Sequence, residues 1–536
     1  MHRALSGAAV AVFLLHGAAL GENAPVTVSV DVDANRHAIS PLIYGVSFGA
    51  PADLKKLNAP LNRQGGNNMT RYNWAINARN LDNDWYFESY PFPKATPGEN
   101  GDTFIAQSKQ QGAVPMLTIP MIGWVAKLGP KRAILPSFSV AKYGAQCSVD
   151  PYDSDAGDGV ATNCSTDISG NDPNDADVPE NTTTEQAWVK HLVAKWGLSS
   201  AGGLRYYLMD NESSIWFGTH RDVHPVGAHA TEIRDDVIAY SAMIKGIDPG
   251  AKIVAPEEWG WSGYLFSGYD QQAGPSLGWT NLPDRTNVMG GEDYIPWLLR
   301  QWKAAGHPID VLSVHFYPQG GEYGNDVSTA TQLLRNRSTR QLWDPKYVSE
   351  SWIDANVDLI PKLRVWVGSY YYAGTPVAIT EYNWGAEAYI NGATTQADIY
   401  GIFGREGLDM ATRWTVPAAS TPTYKAMTMY RNYDGHDSAF GDVSVSATGP
   451  DPDDLSAFAA QRTVDGALTI MVVNKVLTGS TPVTVKLANF TASGTASVYQ
   501  LTSANAIKHL AAQPWTRSKL SATVPAQSIT LFVLPK

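Results

Sequence analysis

Eight short apolar runs, separated by stretches with helical periodicity, constrain the fold of this chain more than any other feature. Eight parallel strands close a β/α barrel, and strand–helix alternation is typical of that fold. Amphipathic stretches between the runs include "TEQAWVKHLVAKWG" and "EDYIPWLLRQWKAAG", the second ending at Gly306. The sequence therefore predicts an α/β protein with a (β/α)8 TIM barrel over residues 41–424. The eight runs are "PLIYGVSFG" near 41, "LNRQGGN" near 61, "VPMLTIPM" near 114, "LRYYLMDNE" near 204, "KIVAPEEWGW" near 252, "IDVLSVHFYP" near 309, "PVAITEYNWG" near 376 and "LDMATRWT" near 408.

The pattern changes at about residue 425. Runs such as "GALTIMVVNK", "TPVTVKLANF" and "QSITLFVL" are separated by Gly, Ser and Asn turns with no helix between them, which indicates an antiparallel β-sandwich. The early run "VTVSVDVDA" alternates too cleanly for a strand buried on both faces. We therefore predict an additional β-sandwich domain, formed by residues 425–536 and an N-terminal strand in residues 22–40. The polar tract 145–187 is predicted to be an insertion loop within the barrel.

The first 21 residues predict export. Arg3 precedes an apolar stretch that is too short to span a bilayer, and small residues follow up to Gly21, as in a bacterial-type secretory signal peptide. No later apolar run approaches the ~20 residues of a membrane span. We therefore expect a secreted, extracellular protein with no membrane partner.

Charge and aromatic content narrow the choice of partner. The formal charge is -11, and removal of residues 1–21, with one Arg and no acid, gives -11 - 1 = -12. Such a chain repels phosphate backbones, so we expect no nucleic-acid partner. The 17 Trp and 25 Tyr suit the C–H faces of sugar rings, although most of them are expected in the core. We expect a monomer that binds a neutral substrate.

The only two cysteines, Cys147 and Cys164, lie in the acidic tract. An oxidising compartment permits a disulfide between them, and two free thiols are the alternative.

Two glutamates stand at the ends of apolar strands. Glu212 ends "YYLMDNE" in the fourth run, and Glu381 lies in "PVAITEYNWG" in the seventh. Working residues of β/α barrels lie at the C-terminal ends of strands, and a carboxylate there is costly to desolvate unless it is paired or used. We predict a catalytic pair; the alternative is two solvated loop residues. Glu257 and Glu258 are rival acids, although two adjacent acids in a loop are usually partly solvated.

Two carboxylates across a glycosidic bond are the requirement for glycoside hydrolysis, with one protonating the leaving oxygen and the other acting on the anomeric side. His315 and Tyr317 lie two residues apart on one strand face and could order a carboxylate and a sugar hydroxyl, although a core histidine is the alternative. Four tryptophans near strand ends are candidate stacking platforms. They are Trp259, Trp261, Trp384 and Trp414.

The loop "DPYDSDAGDG" carries Asp153, Asp155 and Asp158 at alternating spacing. Such a hard-oxygen cluster could hold Ca²⁺, although it lacks the Glu that closes an EF-hand loop. Glu88 in "DWYFES" is a possible further ligand, and the ion would be structural.

The ordered set of motifs "GGNNMTRYNW", "DWYFES", "LMDNE", "PEEWGWSGY", "VHFYP" and "ITEYNWG", within residues 63–385, resembles glycoside hydrolase family 44. The resemblance implies a secreted endo-β-1,4-glucanase that also cuts xyloglucan, with a barrel, a β-sandwich from both termini and a retaining mechanism. It implies that Glu212 is the general acid/base and Glu381 the nucleophile. It also raises the expectation of calcium in the acidic loop.

Substrate-binding positions in or near these motifs are then expected at strand ends. They are Arg63, Asn67, Trp124, Asn211, Trp259, Trp261, His315, Tyr317, Trp384 and Trp414. The expected partners are cellulose, carboxymethylcellulose and xyloglucan, and no cofactor is required for the chemistry. The alternatives are a related barrel xylanase or mannanase and a catalytically inactive carbohydrate-binding protein.

Overall fold

The computed structural model describes residues 21–536; the predicted signal peptide, apart from Gly21, lies outside this range. Eight parallel strands close a barrel, each within one of the predicted apolar runs, so the predicted barrel is confirmed. From the first to the eighth, the barrel strands are Gly45–Ser47, Leu61–Gln64, Val114–Ile119, Tyr206–Met209, Lys252–Glu258, Val311–Phe316, Val377–Tyr382 and Met410–Arg413.

Most of the barrel strands form because apolar side chains cover both of their faces. Inside the barrel, residues such as Leu61, Met116 and Val254 pack into one buried cluster. Alternate residues point outward against the helices, as Leu117 does towards Trp188. With both faces of the strands packed in this way, the C-terminal ends of the strands and the polar loops that follow them form one open end of the barrel.

Helices follow most of the barrel strands. The two amphipathic stretches predicted from sequence are helical at Thr182–Trp196 and Tyr294–Ala304. The α-helices are Pro51–Leu57, Asn67–Thr70, Glu99–Gln110, Val140–Tyr143, Thr182–Trp196, Trp216–Thr219, Ala230–Ile247, Trp261–Leu265, Gly268–Leu277, Pro283–Asn287, Tyr294–Ala304, Thr329–Ser338, Leu359–Tyr370, Ile390–Arg405 and Pro422–Arg431.

The C-terminal module is a sheet of ten strands that closes on itself around a separate apolar core. The early strand Val26–Asp31 pairs in parallel with Thr481–Ala488 and antiparallel with Val443–Thr448, so it joins the two edges of the sheet. This arrangement confirms the predicted contribution of the N-terminal strand. In sheet order the strands are Val26–Asp31, Thr481–Ala488, Lys519–Val524, Lys508–Trp515, Gly494–Leu501, Ser528–Leu534, Leu468–Asn474, Leu455–Gln461, Val443–Thr448 and His37–Ala38.

The two modules pack directly against each other through the helix Ile390–Arg405. A Cβ atom on Gly401 of this helix would lie 2.1 Å from the ring of Phe458, so only glycine permits this close approach. The predicted boundary at 424/425 falls within the helix Pro422–Arg431, and the next sandwich strand begins at Val443. The reason is that residues 425–431 continue a helix that starts with Pro422 at its first turn.

The acidic insertion consists mainly of turns. Cys147 and Cys164 form a disulfide within it, as expected, and are not the two free thiols of the alternative. The predicted end of the insertion at 187 lies inside the helix Thr182–Trp196. Short strands flank the barrel mouth, pairing Trp124–Ala126 with Asp177–Pro179, and Glu88–Pro91 with both Ala78–Asn80 and Leu135–Pro136. Within residues 21–536, no helix is both long and apolar enough to cross a membrane.

Candidate active site

Glu212 and Glu381 meet at the C-terminal face of the barrel. The fourth strand ends at Met209, and Glu212 follows with left-handed backbone (φ 49°), its N–H donating to the carbonyl of Glu257 at 3.0 Å. Glu381 lies in the seventh strand. A carboxylate oxygen of Glu212 and one of Glu381 lie within 4.8 Å of each other. The two acids that the sequence singled out are therefore neighbours across the barrel mouth.

Arg63, at the end of the second strand, fixes the carboxylate of Glu381. Its guanidinium is fully buried and donates to Glu381 Oε1 at 2.6 Å. It also donates to Glu257 Oε2 and to Asn211 Oδ1, each at 3.0 Å. The predicted role of Arg63 in substrate binding is therefore corrected: its side chain lies beneath the cleft, held by buried acceptors, and orients the carboxylate.

Tyr317 completes the hydrogen bonding of Glu381, with its hydroxyl donating to Oε2 at 2.8 Å. Burial and the charges of Glu381 and Glu212 raise the pKa of the Tyr317 phenol, so it stays a donor at neutral pH. Both Glu381 oxygens are thus held by a hydrogen bond, and the carboxylate has a single orientation.

His315 lies between the acids on the sixth strand and is fully buried. Its Nδ1 is 2.8 Å from Glu212 Oε1, and its Nε2 is 3.3 Å from Glu257 Oε2. Burial alone would lower the pKa of His315, but the carboxylates of Glu381, Glu212 and Glu257 raise it to about 9. The imidazole is therefore cationic at neutral pH and stabilises the acids from below rather than contacting a ligand.

Glu212 is the acid of the pair whose surroundings disfavour its ionised form. Its side chain keeps 14% of its exposure and faces the cleft. Burial raises the pKa of Glu212, the hydrogen bond from His315 opposes that effect, and the negative charge of Glu381 adds to it. A carboxyl group with a raised pKa can carry a proton at working pH and donate it.

Glu212, His315 and Glu381 also lie close enough together to surround a metal ion. Two observations weigh against a cation there: Glu381 already accepts from Arg63, and the raised pKa of His315 leaves its imidazole protonated rather than free to coordinate. The arrangement suits acid and nucleophile chemistry better than metal binding.

The rival acids Glu257 and Glu258 do not open to the cleft, since both are fully buried. Burial would raise the pKa of Glu257, yet Arg63 and His315 beside it hold the pKa below its ordinary value. Burial raises the pKa of Glu258 to about 7, partly offset by hydroxyl donors from Ser214 and Ser213. Our sequence-based expectation of partly solvated loop acids at these two positions is therefore wrong.

The predicted stacking tryptophans occupy different environments. Trp384 is only 3% exposed, donates to Ser338 Oγ and packs on Phe316, so it is a core residue; the prediction of a platform there is corrected. Trp414, at the end of the eighth strand, is partly exposed, with its ring 6.0 Å from the Arg63 guanidinium. It therefore lies beside the carboxylates, where a stacking platform is needed.

The other predicted binding residues surround the barrel mouth. Trp124 and Trp261 are partly exposed, and Trp259 is partly exposed with its indole N–H donating to Gln271. Asn211 is almost fully buried and donates to Asn67 Oδ1 at 3.1 Å, so it links Asn67 to Arg63. The prediction that Asn211 contacts substrate is thus corrected: Asn211 positions Asn67 instead.

Sequence reasoning missed several exposed groups near the mouth. Asp84 accepts hydrogen bonds from Asn67 and Asn68, at 3.4 and 3.0 Å, and forms an acidic rim. Tyr323 is 49% exposed and packs edge-to-face on Tyr317. The signal for Asp84 was its place at the start of the motif "DWYFES", whereas nothing in the local sequence distinguished Tyr323 from a core aromatic.

The acidic loop brings together a different set of acids from the one predicted. Both oxygens of buried Glu88 and Oδ2 of buried Asp150 have no hydrogen-bond partner among residues 21–536, and the charges of Asp150 and Asp153 add to burial in raising the pKa of Glu88 to about 8. By contrast, Asp155 accepts from Ser139 and the N–H of Ala141.

Asp158 likewise accepts from the N–H of Val160 two residues on. Asp153 also accepts from a backbone N–H, that of Asp155, but its charge acts on Glu88 together with that of Asp150. The predicted cation set is therefore corrected: Asp155 and Asp158 stabilise turns, whereas Glu88, Asp150 and Asp153 form one acidic cluster. Buried carboxylate oxygens without donors fit a hard cation such as Ca²⁺.

Known proteins share this fold and have similar sequences. The family model "Glycoside hydrolase family 44" matches residues 78–320. The crystal structure of CelM2, a bifunctional glucanase-xylanase from a metagenome library, is 59% identical, with a TM-score of 0.94 over 96% of this chain and 100% of that one. The structure of a Paenibacillus polymyxa xyloglucanase from family 44 with xyloglucan is 28% identical, with a TM-score of 0.78 over 96% of this chain and 100% of that one.

Endoglucanase A of Paenibacillus lautus is 32% identical over 84% of this chain, and the chain spans 64% of that protein's length. These comparisons confirm the resemblance that the motifs within residues 63–385 carry. The chain belongs to glycoside hydrolase family 44.

Proposed function

We propose that this protein is a retaining endo-β-1,4-glucanase that cleaves internal bonds of cellulose-type glucans and xyloglucan. The observation that carries the proposal is the approach of Glu212 and Glu381 to within 4.8 Å. Retaining glycosidases hold their carboxyl groups ~5–5.5 Å apart, whereas inverting enzymes leave ~6.5–9.5 Å for a water molecule. The gap here is too small for a water to attack from between the acids.

The roles follow from the surroundings of each acid. Glu381, oriented by Arg63 and Tyr317, attacks the anomeric carbon. Glu212 gives its proton to the glycosidic oxygen, which leaves as a sugar hydroxyl, and a glycosyl ester forms on Glu381. Glu212, now ionised, takes a proton from water, whose oxygen attacks the same carbon and releases Glu381. The sequence of steps balances without a cofactor.

Relatives support the substrate class. The P. lautus relative is named an endoglucanase, and the P. polymyxa structure is a xyloglucanase with xyloglucan. A second candidate substrate is xylan, which the 59% identity to the bifunctional glucanase-xylanase CelM2 favours. An inactive carbohydrate-binding protein is disfavoured because both acids and their hydrogen-bonding partners are in place.

Product analysis tests the proposal. The wild-type protein should release reducing ends from carboxymethylcellulose and xyloglucan, with a rapid fall in viscosity that indicates internal cleavage. Proton NMR of the first products should show the β-anomer; the α-anomer would refute retention. Equal or greater activity on xylan or mannan would overturn the glucan assignment.

A variant tests the nucleophile. Glu381→Ala should lose more than roughly a thousandfold in kcat, since covalent catalysis is removed. Azide should restore turnover and give the inverted glycosyl azide. Glu350→Ala, which removes an exposed carboxylate paired with Arg337, is the matched control and should keep wild-type activity.

We also propose a structural Ca²⁺ at Glu88, Asp150 and Asp153. The support is the three buried carboxylate oxygens of Glu88 and Asp150 that have no donor within residues 21–536, together with the charge of Asp153 beside them. A divalent cation would neutralise their mutual repulsion and tie the acidic loop to the strand Glu88–Pro91. The ion would take no part in the reaction.

The proposed location is outside the cell and the proposed state is a monomer. The pattern of residues 1–21 supports export, and the Cys147–Cys164 disulfide is compatible with an oxidising compartment. Detection of the mature protein in culture medium, and its mass in solution, would test both.

A further inference from the structure

A groove opens at the barrel mouth outside the catalytic centre, on the side of the first and second strands. It encloses about 320 Å³, within the ~300–1,000 Å³ typical of small-molecule sites. Aromatic rings and planar polar groups line it together. The lining groups that matter are Phe48, Gln64, Arg79, Phe92, Asn100 and Phe104, and we refer to it as the Arg79 groove.

Arg79 is the most informative of these residues. Its guanidinium lies 5.0 Å from the centre of the Phe92 ring, and its side chain has no hydrogen bond or ion pair within residues 21–536. By contrast, the nearby arginines Arg63 and Arg71 are held by carboxylates. A half-buried guanidinium with free donors is available to a ligand.

Two amides extend this polar set. Gln64 donates its side-chain N–H to Asn100 Oδ1 at 2.6 Å. Within residues 21–536, the side-chain oxygen Oε1 of Gln64 and the side-chain NH₂ of Asn100 make no other hydrogen bond, so both remain available to a ligand. Phe48 is 39% exposed, and Phe92 and Phe104 are partly exposed. Free donors and acceptors beside aromatic faces match a sugar ring, whose hydroxyls lie at its rim and whose C–H groups cover its faces.

The groove lies next to the catalytic centre. Gln64 directly follows Arg63, the residue that holds Glu381. Phe48 lies edge-to-face with Trp414, with 5.7 Å between ring centroids, and its N–H donates to the Arg63 carbonyl at 2.9 Å. A chain that stacks on Trp414 beside the carboxylates would therefore meet Phe48 and then the groove.

We propose that the Arg79 groove is a distal subsite that binds one pyranose ring of the polysaccharide, with Arg79 hydrogen-bonding its hydroxyls. The inference rests on the proposed glucan hydrolysis and adds a determinant of chain length to it. The ring could be a backbone glucosyl unit or a side-branch xylosyl unit, because both present the same hydroxyl and C–H chemistry.

Kinetics on substrates of graded length test the subsite. Arg79→Met keeps the aliphatic stem but removes the donors, so kcat/KM should fall about tenfold on long cello-oligosaccharides or polymeric glucan, the loss expected for a charged hydrogen bond. Aryl cellobioside, too short to reach the groove, should be cleaved at the wild-type rate. Xyloglucan oligosaccharides form a second arm: a loss confined to them would assign the groove to the branch.

A matched control is Arg205→Met. Arg205 also lies over an aromatic ring, 5.3 Å from the centre of Tyr206, and has no ion pair within residues 21–536, but it lies at the opposite end of the barrel. It should leave all substrates unaffected. Phe104→Leu is the second groove variant and is decisive if Arg79→Met lowers the melting temperature.

These experiments distinguish failure of the subsite proposal from failure of the proposed hydrolase function. A wild-type protein inactive on every glucan would refute the hydrolase proposal itself. With an active wild type, groove variants that lose nothing, or that lose equally on short and long substrates, would overturn the subsite. A loss that grows with chain length and is absent in Arg205→Met would support it.

Discussion

Replacing Glu381 with Gln tests whether the charge of this proposed nucleophile keeps Glu212 protonated in the free enzyme. The two carboxylates approach within 4.8 Å, so with an effective dielectric constant of ~20 two unit negative charges repel by about 3.5 kcal/mol. Glu381→Gln removes that charge and keeps the shape of the side chain. Because the charge of Glu381 acts with burial to raise the pKa of Glu212, we expect this pKa to fall in the variant.

Carbon-13 NMR of labelled glutamate carboxyl groups measures the effect. The resonance of Glu212 is identified by its absence in Glu212→Gln and is titrated in the wild type, in Glu381→Gln and in the control Glu350→Gln. The difference between the first two titrations gives the coupling free energy between the acids. The control removes the exposed carboxylate of Glu350, which is paired with Arg337. In this variant the Glu212 resonance should titrate as it does in the wild type.

The sign of the change decides the mechanism. A lower pKa of Glu212 in Glu381→Gln would mimic the proposed glycosyl-enzyme, in which Glu381 is an uncharged ester and Glu212 acts as base. A coupling below about 1 kcal/mol, smaller than most direct side-chain couplings, or a pKa that rises, would show that burial alone sets the protonation of Glu212. The proposed switch from acid to base would then lack its physical cause.

Four further predictions address other parts of the molecule. Glu212→Gln should lose the basic limb of the kcat/KM profile, and should slow a polymeric glucan about a hundredfold or more while slowing an activated aryl glycoside far less; equal losses would exclude it as the acid. Chelation with EDTA should lower the melting temperature of the wild type but not that of Glu88→Gln, as calorimetry would show. Cys147→Ser should cost about 3 kcal/mol of unfolding free energy for a disulfide of sequence separation 17, and labelling of the native protein by a thiol reagent would contradict the bridge. Trp384→Ala should lower stability by about 3 kcal/mol or more with little change in KM, whereas Trp414→Ala should raise KM at nearly constant stability.

The strand-end acids could be predicted because two independent constraints act on them. Barrel strands are recognisable as short apolar runs, and a carboxylate that ends such a run must be paired or used. Glu212 and Glu381 satisfy both conditions, and the parallel closure of the barrel then brings them together. No long-range information was needed, since the fold itself converts position in the strand into position at the mouth.

The rivals Glu257 and Glu258 could not be resolved in the same way. The register between the fifth and sixth strands shifts between Pro256 and Glu258, so the alternation of faces that sequence reasoning assumes fails there. Both side chains are consequently buried, one against Arg63 and the other against the hydroxyls of Ser213 and Ser214. Which acid faces the cleft depended on partners from other strands that local sequence does not reveal.

The acidic loop illustrates a different limit. Spacing identified Asp153, Asp155 and Asp158 as a group, but an Asp in a turn also accepts hydrogen bonds from backbone N–H groups nearby. Asp153, Asp155, Asp158 and one oxygen of Asp150 do so. The other oxygen of Asp150 and both oxygens of Glu88 have no partner within residues 21–536. Local turn geometry, not the count of carboxylates, decides which acids remain available to a cation.

The balance of charge beneath the cleft accounts for the change of Glu212 from acid to base in the proposed mechanism. Arg63 and His315 are cationic, and Glu257, whose pKa is held low, together with Glu381 supplies two negative charges, so the group is neutral when Glu212 is protonated. Once Glu381 is esterified, the same two cations face only Glu257, and neutrality is restored when Glu212 ionises. Since a buried net charge is costly, each chemical step itself favours the protonation state of Glu212 that the next step requires.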